Sequence, residues 1–173
     1  MSYEARLNEA CAMVIRAIKM EDSPDINHLR TMNGVRETIL GIASERVADT
    51  EAFIRNLSHG DHMLVAEIDG HVVGCVGLTV SKMPRESRTA GLGIMVHADY
   101  QRQGIGRALM AAILDLADKW LMLKRVELSV FIDNEPAVKL YLSMGFVVEG
   151  TKKFAAIRDG AYMDEYLMAR YRI

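Results

Sequence analysis

A chain of 173 residues has the length of one domain. Half of it is apolar and a quarter charged, which supplies a sizeable core and excludes a disordered chain. The net charge of -2 leaves no basic excess for nucleic acid or an anionic membrane surface, so the expected partners are small molecules. No apolar run approaches the roughly 20 residues of a membrane helix. Met1 to Met20 also lacks a basic start followed by an apolar stretch and a cleavage site, so the expected address is the cytoplasm. Cys11 and Cys75 are far apart, without zinc or redox spacing, and read as reduced core thiols.

In chain order, Ser2 to Cys11 reads as a short leading helix and Met13 to Ala17 as the first strand. Ser23-Pro24 offers a helix N-cap with proline at the first helical position, and Ile26, Leu29 and Met32 keep helical spacing up to Asn33-Gly34. Val35 to Glu45 is a weakly patterned connection. Val47, Phe53, Ile54 and Leu57 mark a second helix. Met63 to Ile68 and Val72 to Val80 are apolar runs joined by Asp69-Gly70, the signal of a two-residue type I′ hairpin. Gly74, Cys75 and Gly77 give the second run a small face, as close packing or a bulge requires. Ser81 to Ser87 is a polar loop, expected to border a substrate pocket.

Ala90 to Trp120 organises the rest. An apolar strand (Leu92, Ile94, Val96) runs through His97 to Gly106 into a helix whose Ile105, Ala108, Leu109, Ala112, Ile113, Leu116 and Trp120 recur at core-facing intervals. Gly104 and Gly106 let the backbone turn tightly and a bulky anion approach its amides. The helix start beneath them offers unpaired N–H groups and the positive end of its dipole. Arg107 and Ala108 stand where a Walker loop needs lysine and a hydroxyl, and Leu109 where a dinucleotide fingerprint needs Gly or Ala, so both of those phosphate sites are excluded. A Gly-x-Gly before a helix also serves as a plain strand-to-helix connection. Arg125 to Ile132 then reads as a strand parallel to the central one through a βαβ crossover. Asp133-Asn134 caps a helix carrying Pro136, Ala137, Leu140 and Tyr141, which stops at Gly145. Phe146 to Glu149 and Tyr162 to Ala169 are expected as short final strands around a turn-rich segment with Asp159-Gly160.

Gln101, Gly104 and Gly106 directly after a strand, with Asn134-Glu135-Pro136-Ala137 and Leu140-Tyr141-Leu142-Ser143-Met144-Gly145-Phe146 downstream, resemble the Gcn5-related N-acetyltransferases (GNAT). The resemblance implies one N-acetyltransferase domain over 1–173. Its α/β fold has a mostly antiparallel sheet, one parallel pair splayed around an acetyl-CoA cleft, and helices on both faces. It implies that Ile94, Met95 and Val96 offer backbone groups to the pantetheine arm and that Gln101, Arg102, Gln103, Gly104, Ile105, Gly106 and Arg107 hold the pyrophosphate. Arg102 and Arg107 are otherwise solvated. Asn134 and Ala137 fall at the cofactor arm, with Asn134 equally a helix cap. Tyr141 matches the acid that reprotonates the departing thiolate, its other reading being a core tyrosine.

Many family members place a glutamate on the strand before the cradle, but Thr89 to Val96 holds no carboxylate. Glu127 is the expected end of a water chain serving as general base, or an exposed strand glutamate; His97 is the weaker candidate. His59 and His62 lack partners for a metal beyond Asp61, so none is expected. Without a strong base, an α-amine is a more plausible nucleophile than a lysine side chain, because it gives up its proton more readily. Arg125 to Ala137 and Gly160 to Asp164 are similar to bacterial L-amino-acid N-acetyltransferases, which act on amino acids such as phenylalanine and methionine. A cation for the substrate carboxylate is then expected from Arg36, Arg85, Arg88 or Arg158. The rival functions are acetylation of a protein N-terminus and a non-catalytic acyl-CoA-binding sensor. A homodimer is compatible with the sequence.

Overall fold

Two tight hairpins and two helical crossovers, through the segments 97–124 and 132–146, set the order of the seven strands. A computed structural model of the chain describes residues 13–172; the expected leading helix and Cys11 lie outside the described residues. Strands β1 (Val14–Ala17), β2 (Asp61–Ile68), β3 (His71–Val80), β4 (Thr89–Val96), β5 (Arg125–Phe131), β6 (Val147–Arg158) and β7 (Ala161–Tyr171) form one sheet in the order β1-β2-β3-β4-β5-β7-β6. Every neighbouring pair is antiparallel except β4 and β5. The type I′ turn joins β2 to β3, with Asp69 (φ 53°) and Gly70 (φ 78°) both left-handed, and Asp159 (φ 49°) and Gly160 (φ 77°) repeat the device between β6 and β7.

Four helices cover the sheet: α1 (Ser23–Thr31), α2 (Val47–Arg55), α3 (Ile105–Asp115) and α4 (Glu135–Ser143). Strand alternation assigns them to faces. Ala90 and Leu92 of β4 and Val126, Leu128 and Val130 of β5 are buried with Ile105, Leu109, Met110 and Ile113 of α3 and Tyr141 of α4. On the other face, Ile26 and Leu29 of α1 pack on Val65, Val72 and Cys75. Gly74 is close packing, as expected: a Cβ there would come within 3.0 Å of Leu109 Cδ1. The register of β2 with β3 also shifts beside it, between Ala66 and Glu67, where a bulge was the alternative reading.

Three expectations are corrected. Ser23 is the first residue of α1 rather than its cap; Asp22 holds the cap position, Pro24 follows one residue later, and Ser23 Oγ donates to Met20 O (2.8 Å). Trp120 is 78% exposed rather than core, because after Asp115 the helix changes to π winding over Leu116–Trp120, with Leu121 N donating to Leu116 O. An i→i+5 turn advances each residue by a smaller angle, so the three-and-four spacing no longer keeps one face. The turn-rich segment after Glu149 is strand up to Arg158. It is an edge strand, largely exposed, whose register slips twice and in which Phe154 has a positive φ (53°), so no apolar alternation marks it.

Candidate active site

Beyond their first three residue pairs, β4 and β5 part. The ladder holds Thr89 to Arg125, Ala90 to Val126 and Gly91 to Glu127, and then both strands continue without pairing each other. Ile94, Met95 and Val96 stay paired to β3 through Val76, Cys75 and Gly74, so the β5-facing edge of β4 has no strand partner there, and of its groups Val96 O is taken by a side chain of the following loop. An extended ligand arm can bond such an edge as a strand does.

The loop from β4 into α3 leads from the open end of this cleft. Gln101 Nε2 donates to Val96 O (3.1 Å) and Gly34 O (3.4 Å), and Gln103 Nε2 donates to Asp99 O (2.9 Å), so both glutamine side chains brace the loop. Arg102 (φ 60°) and Gly104 (φ 87°) make the left-handed steps that aim the following amides. No side chain caps α3, and its first turn contains no acidic residue. The N–H groups of Ile105, Gly106 and Arg107 therefore have no partner within the helix and face a positive dipole end, which fits a pyrophosphate. Gly106 faces Leu140, Val96 and Ile94, at ordinary contact distance for a Cβ (3.5 to 4.0 Å), so the helix start packs directly on β4 and α4. Arg107 Nη2 bonds Ser143 Oγ (3.1 Å), which ties α3 to α4, and Arg102 is exposed.

On the same face of the sheet, α4 begins with Asn134, whose side-chain oxygen accepts from Ala137 N (3.4 Å), the helix-cap role. Tyr141 is 6% exposed against Phe146, with ring centroids 5.9 Å apart, and burial pushes its phenol up to about 12. It holds its proton across the physiological range.

Glu127 lies on the opposite face, beside Gly91 in register. It accepts from Arg125 Nε (2.8 Å), and Arg125 also grips Glu149 with two bonds (2.8 and 2.5 Å). The guanidinium and the Tyr171 hydroxyl hold Glu149 down at about 2, and those carboxylates hold Arg125 well above its ordinary value. Tyr141 thus belongs to the core on the α3–α4 face of the sheet, and Glu127, paired to Arg125, stands on the other face. His97 Nδ1 accepts from Asp99 N (3.2 Å), a turn contact.

Two cavities open on the Glu127 face. One, of about 340 Å³, lies between α2 and the sheet, lined by Phe53, Leu57, Asp61, Met63, Gly77, Thr79 and residues 91–93. The other, of about 360 Å³, is bordered by the segment 36–43, Phe131 and residues 156–159 of the β6–β7 hairpin. The four candidate arginines separate accordingly. Arg36 and Arg158 line the second cavity; Arg158 is bound to Asp133 and to Glu37 O and stacks over Phe131 (5.1 Å). Arg85 and Arg88 precede β4, at the end away from the cradle, where Arg88 Nη1 donates to Leu121 O (3.0 Å). The Ser81 to Ser87 loop lines neither of these two cavities. Burial pushes the Cys75 thiol up to about 12, leaving it unreactive. Among the described residues no cluster of His, Cys, Asp and Glu could hold a metal ion, and no helix is long and apolar enough to cross a membrane. The first cavity escaped sequence reading because its glycines sit on two strands, and only the sheet register brings them together.

The sequence model of the Acetyltransferase (GNAT) family matches residues 32–146, which span the first cavity, the cleft, the cradle and α4. The chain belongs to this family. It is 45% identical over 113 residues to the L-amino acid N-acetyltransferase AaaT of Escherichia coli (strain K12), covering 65% of this chain and 70% of that protein. It is 35% identical over 125 residues to the N-alpha-acetyltransferase RimI of Mycobacterium tuberculosis (strain H37Rv), covering 69% of this chain and 72% of that one. The solved structure of yncA from Salmonella typhimurium, a putative acetyltransferase with its cofactor acetyl-CoA, has the same fold: TM-score 0.78 at 21% identity, over 92% of this chain and 94% of that one. This family member is therefore an acyltransferase of the N-acetyltransferase kind, with the expected sheet, parallel pair and helices on both faces.

Proposed function

We propose that this family member transfers an acetyl group from acetyl-CoA directly to the α-amine of an L-amino acid with an apolar side chain, of the methionine or phenylalanine type. The observation that carries the reading is the two-sided cleft. The uncapped start of α3 and the free edge of β4 at Ile94 to Val96 suit a pyrophosphate and its extended arm, and two cavities on the Glu127 face leave room for an acceptor. The similarity to an L-amino acid N-acetyltransferase supports the acceptor class.

Bound acetyl-CoA supplies the activated acyl group and a thiolate leaving group; the chain positions and stabilises. Amides at the start of α3 satisfy the phosphate charge. Backbone N–H groups along the free edge of β4 are preorganised for the negative oxygen that develops at the carbonyl. The amine enters from the Glu127 face, where the carboxylate ends a water path that takes its surplus proton. Tyr141, on the other face, donates to the sulfur as it leaves. Direct attack in a ternary complex needs no covalent enzyme intermediate. The carboxylate of the acceptor pairs with Arg36 at the second cavity, displacing its neighbour Glu37 (3.2 Å), while Arg158 stays with Asp133 and Glu37 O. This reading treats 1–173 as one acetyltransferase domain working on soluble substrates in the cytoplasm.

Thiol release from acetyl-CoA by the purified protein, measured across free amino acids, diamines and short peptides, tests the proposal. Saturable release with methionine or phenylalanine is expected. Preference for a peptide N-terminus would favour the reading suggested by the RimI similarity, and cofactor binding without release from any amine would favour a sensor.

A further inference from the structure

The cavity under α2 is made by the absence of side chains. On this face the register aligns Met63, Gly77 and Gly93 in one row across β2, β3 and β4, and Asp61, Thr79, Gly91 and Glu127 in the next across β2 to β5. A Cβ built on Gly91 or Gly93 meets nothing within 4 Å, and one on Gly77 meets only Met63 at 3.7 Å. None of the three has a positive φ, so the backbone does not demand glycine there. The helix above answers in kind. Phe53 is 52% exposed, an aromatic wall facing a floor without side chains. Protein interiors normally fill such space, and an unfilled apolar cavity forgoes packing energy.

Place and chemistry indicate what fills it. Gly91 is the last residue of β4 paired to β5 and Gly93 lies just beyond, so the floor ends at the apex of the cleft, beside Glu127. Phe53, Leu57 and Met63 make the walls apolar. The one carboxylate present, Asp61, already accepts from the amide (2.9 Å) and hydroxyl (2.5 Å) of Ser58 and from Thr79, and these bonds hold it below the usual carboxylate range. These donors fix the carboxylate at the rim of the floor, beside Ser58 and Thr79, while the rest of the lining is apolar side chain and glycine backbone. The volume, about 340 Å³, is at the small end for ligand sites.

We infer that the glycine floor of this cavity is the specificity element of the acceptor site, receiving the apolar side chain of the amino acid while its α-amine lies at the cleft apex. The inference rests on the reading given under Proposed function. Gly91 and Gly93 set the permitted size, and Phe53 and Leu57 supply the contact. A larger residue at 93 fills the seat without disturbing the fold, because the added atoms enter open space.

The test is steady-state kinetics of wild type, Gly93→Ala and Gly93→Val with alanine, methionine, phenylalanine and putrescine, alongside thermal midpoints. A methylene's worth of pocket is typically about tenfold in discrimination. The expected result is that kcat/KM for phenylalanine relative to alanine falls about tenfold in Gly93→Ala and further in Gly93→Val. Thermal midpoints should stay near wild type. Folded variants with an unchanged phenylalanine-to-alanine ratio would overturn the inference while leaving acetyl transfer standing, as would a wild type that prefers putrescine. Wild type releasing no thiol with any amino acid would overturn the functional reading itself. Phe53→Ala provides an independent arm: it should weaken phenylalanine relative to alanine by removing a wall, and no change in that ratio also counts against the seat.

Discussion

The two faces of the sheet are built on opposite plans. Beneath α3 and α4, Leu109, Met110, Ile113, Val126, Leu128 and Met168 close a continuous core, and the groups offered toward the cleft are mostly backbone: strand edge, helix start, left-handed loop. Beneath α1 and α2 the core closes only around Ile26, Leu29, Val65, Val72 and Cys75; the remainder is glycine floor, ion-pair network and two cavities. Backbone recognition suits a constant ligand, because side-chain changes leave it intact. Side-chain cavities suit a ligand that differs from one family member to the next. On the proposed reading, this division lets one fold keep its acyl donor and change its acceptor.

Substitutions on the two faces should therefore fail differently. The largest effect is expected in the closed core. Leu109→Ala removes a fully buried side chain wedged against Gly74 and should cost about 2 to 5 kcal/mol of stability in denaturant unfolding, whatever the acceptor. Tyr141→Phe removes only a hydroxyl; turnover should fall about 100-fold with every acceptor while the KM for acetyl-CoA holds within about twofold. On the open face, Arg36→Ala should lower kcat/KM for phenylalanine by about tenfold and leave phenylalaninamide nearly unaffected, since a charge-assisted bond is worth about 1.5 to 3 kcal/mol. The glycine-floor variants belong with this second group, altering choice of acceptor rather than rate with all of them.

The smallest effect concerns pH. Burial raises the Tyr141 phenol to about 12 in the folded chain from about 10 when unfolded, so between those values the folded state binds the extra proton. Its contribution is complete below pH 10 and is lost as pH rises toward 12. Unfolding midpoints followed from pH 9 to 12 should fall less steeply for Tyr141→Phe than for wild type, and identical curves would show that the phenol is not desolvated.

The strand, loop and helix that we propose for the donor could be read in the sequence and the cavities that we propose for the acceptor only in part, for a physical reason. A cradle is encoded locally: a period-two strand, glycines where the backbone turns, and a period-3.6 helix fall within about thirty residues from Ala90 to Trp120. Asn134, Pro136 and Gly145 mark the start and stop of α4 in the same local way. Acceptor features are assembled from distant segments. Gly77 and Gly93 become neighbours through antiparallel register, and Phe53 reaches them from α2; the alternation of small residues along β3 and β4 was the available signal. The arginines could be named but not sorted, because only the fold separates Arg36 and Arg158 from Arg85 and Arg88. Trp120 and β6 were misread where local periodicity ceased to report burial, in a π turn and on an exposed edge.

Initial-rate kinetics of the wild-type protein, varying acetyl-CoA and phenylalanine together, test most directly whether two ligands meet across this cleft from opposite faces. The account predicts double-reciprocal lines that intersect, as a ternary complex requires, with thiol release dependent on the amino acid. Parallel lines, or release that ignores the amino acid, would contradict it.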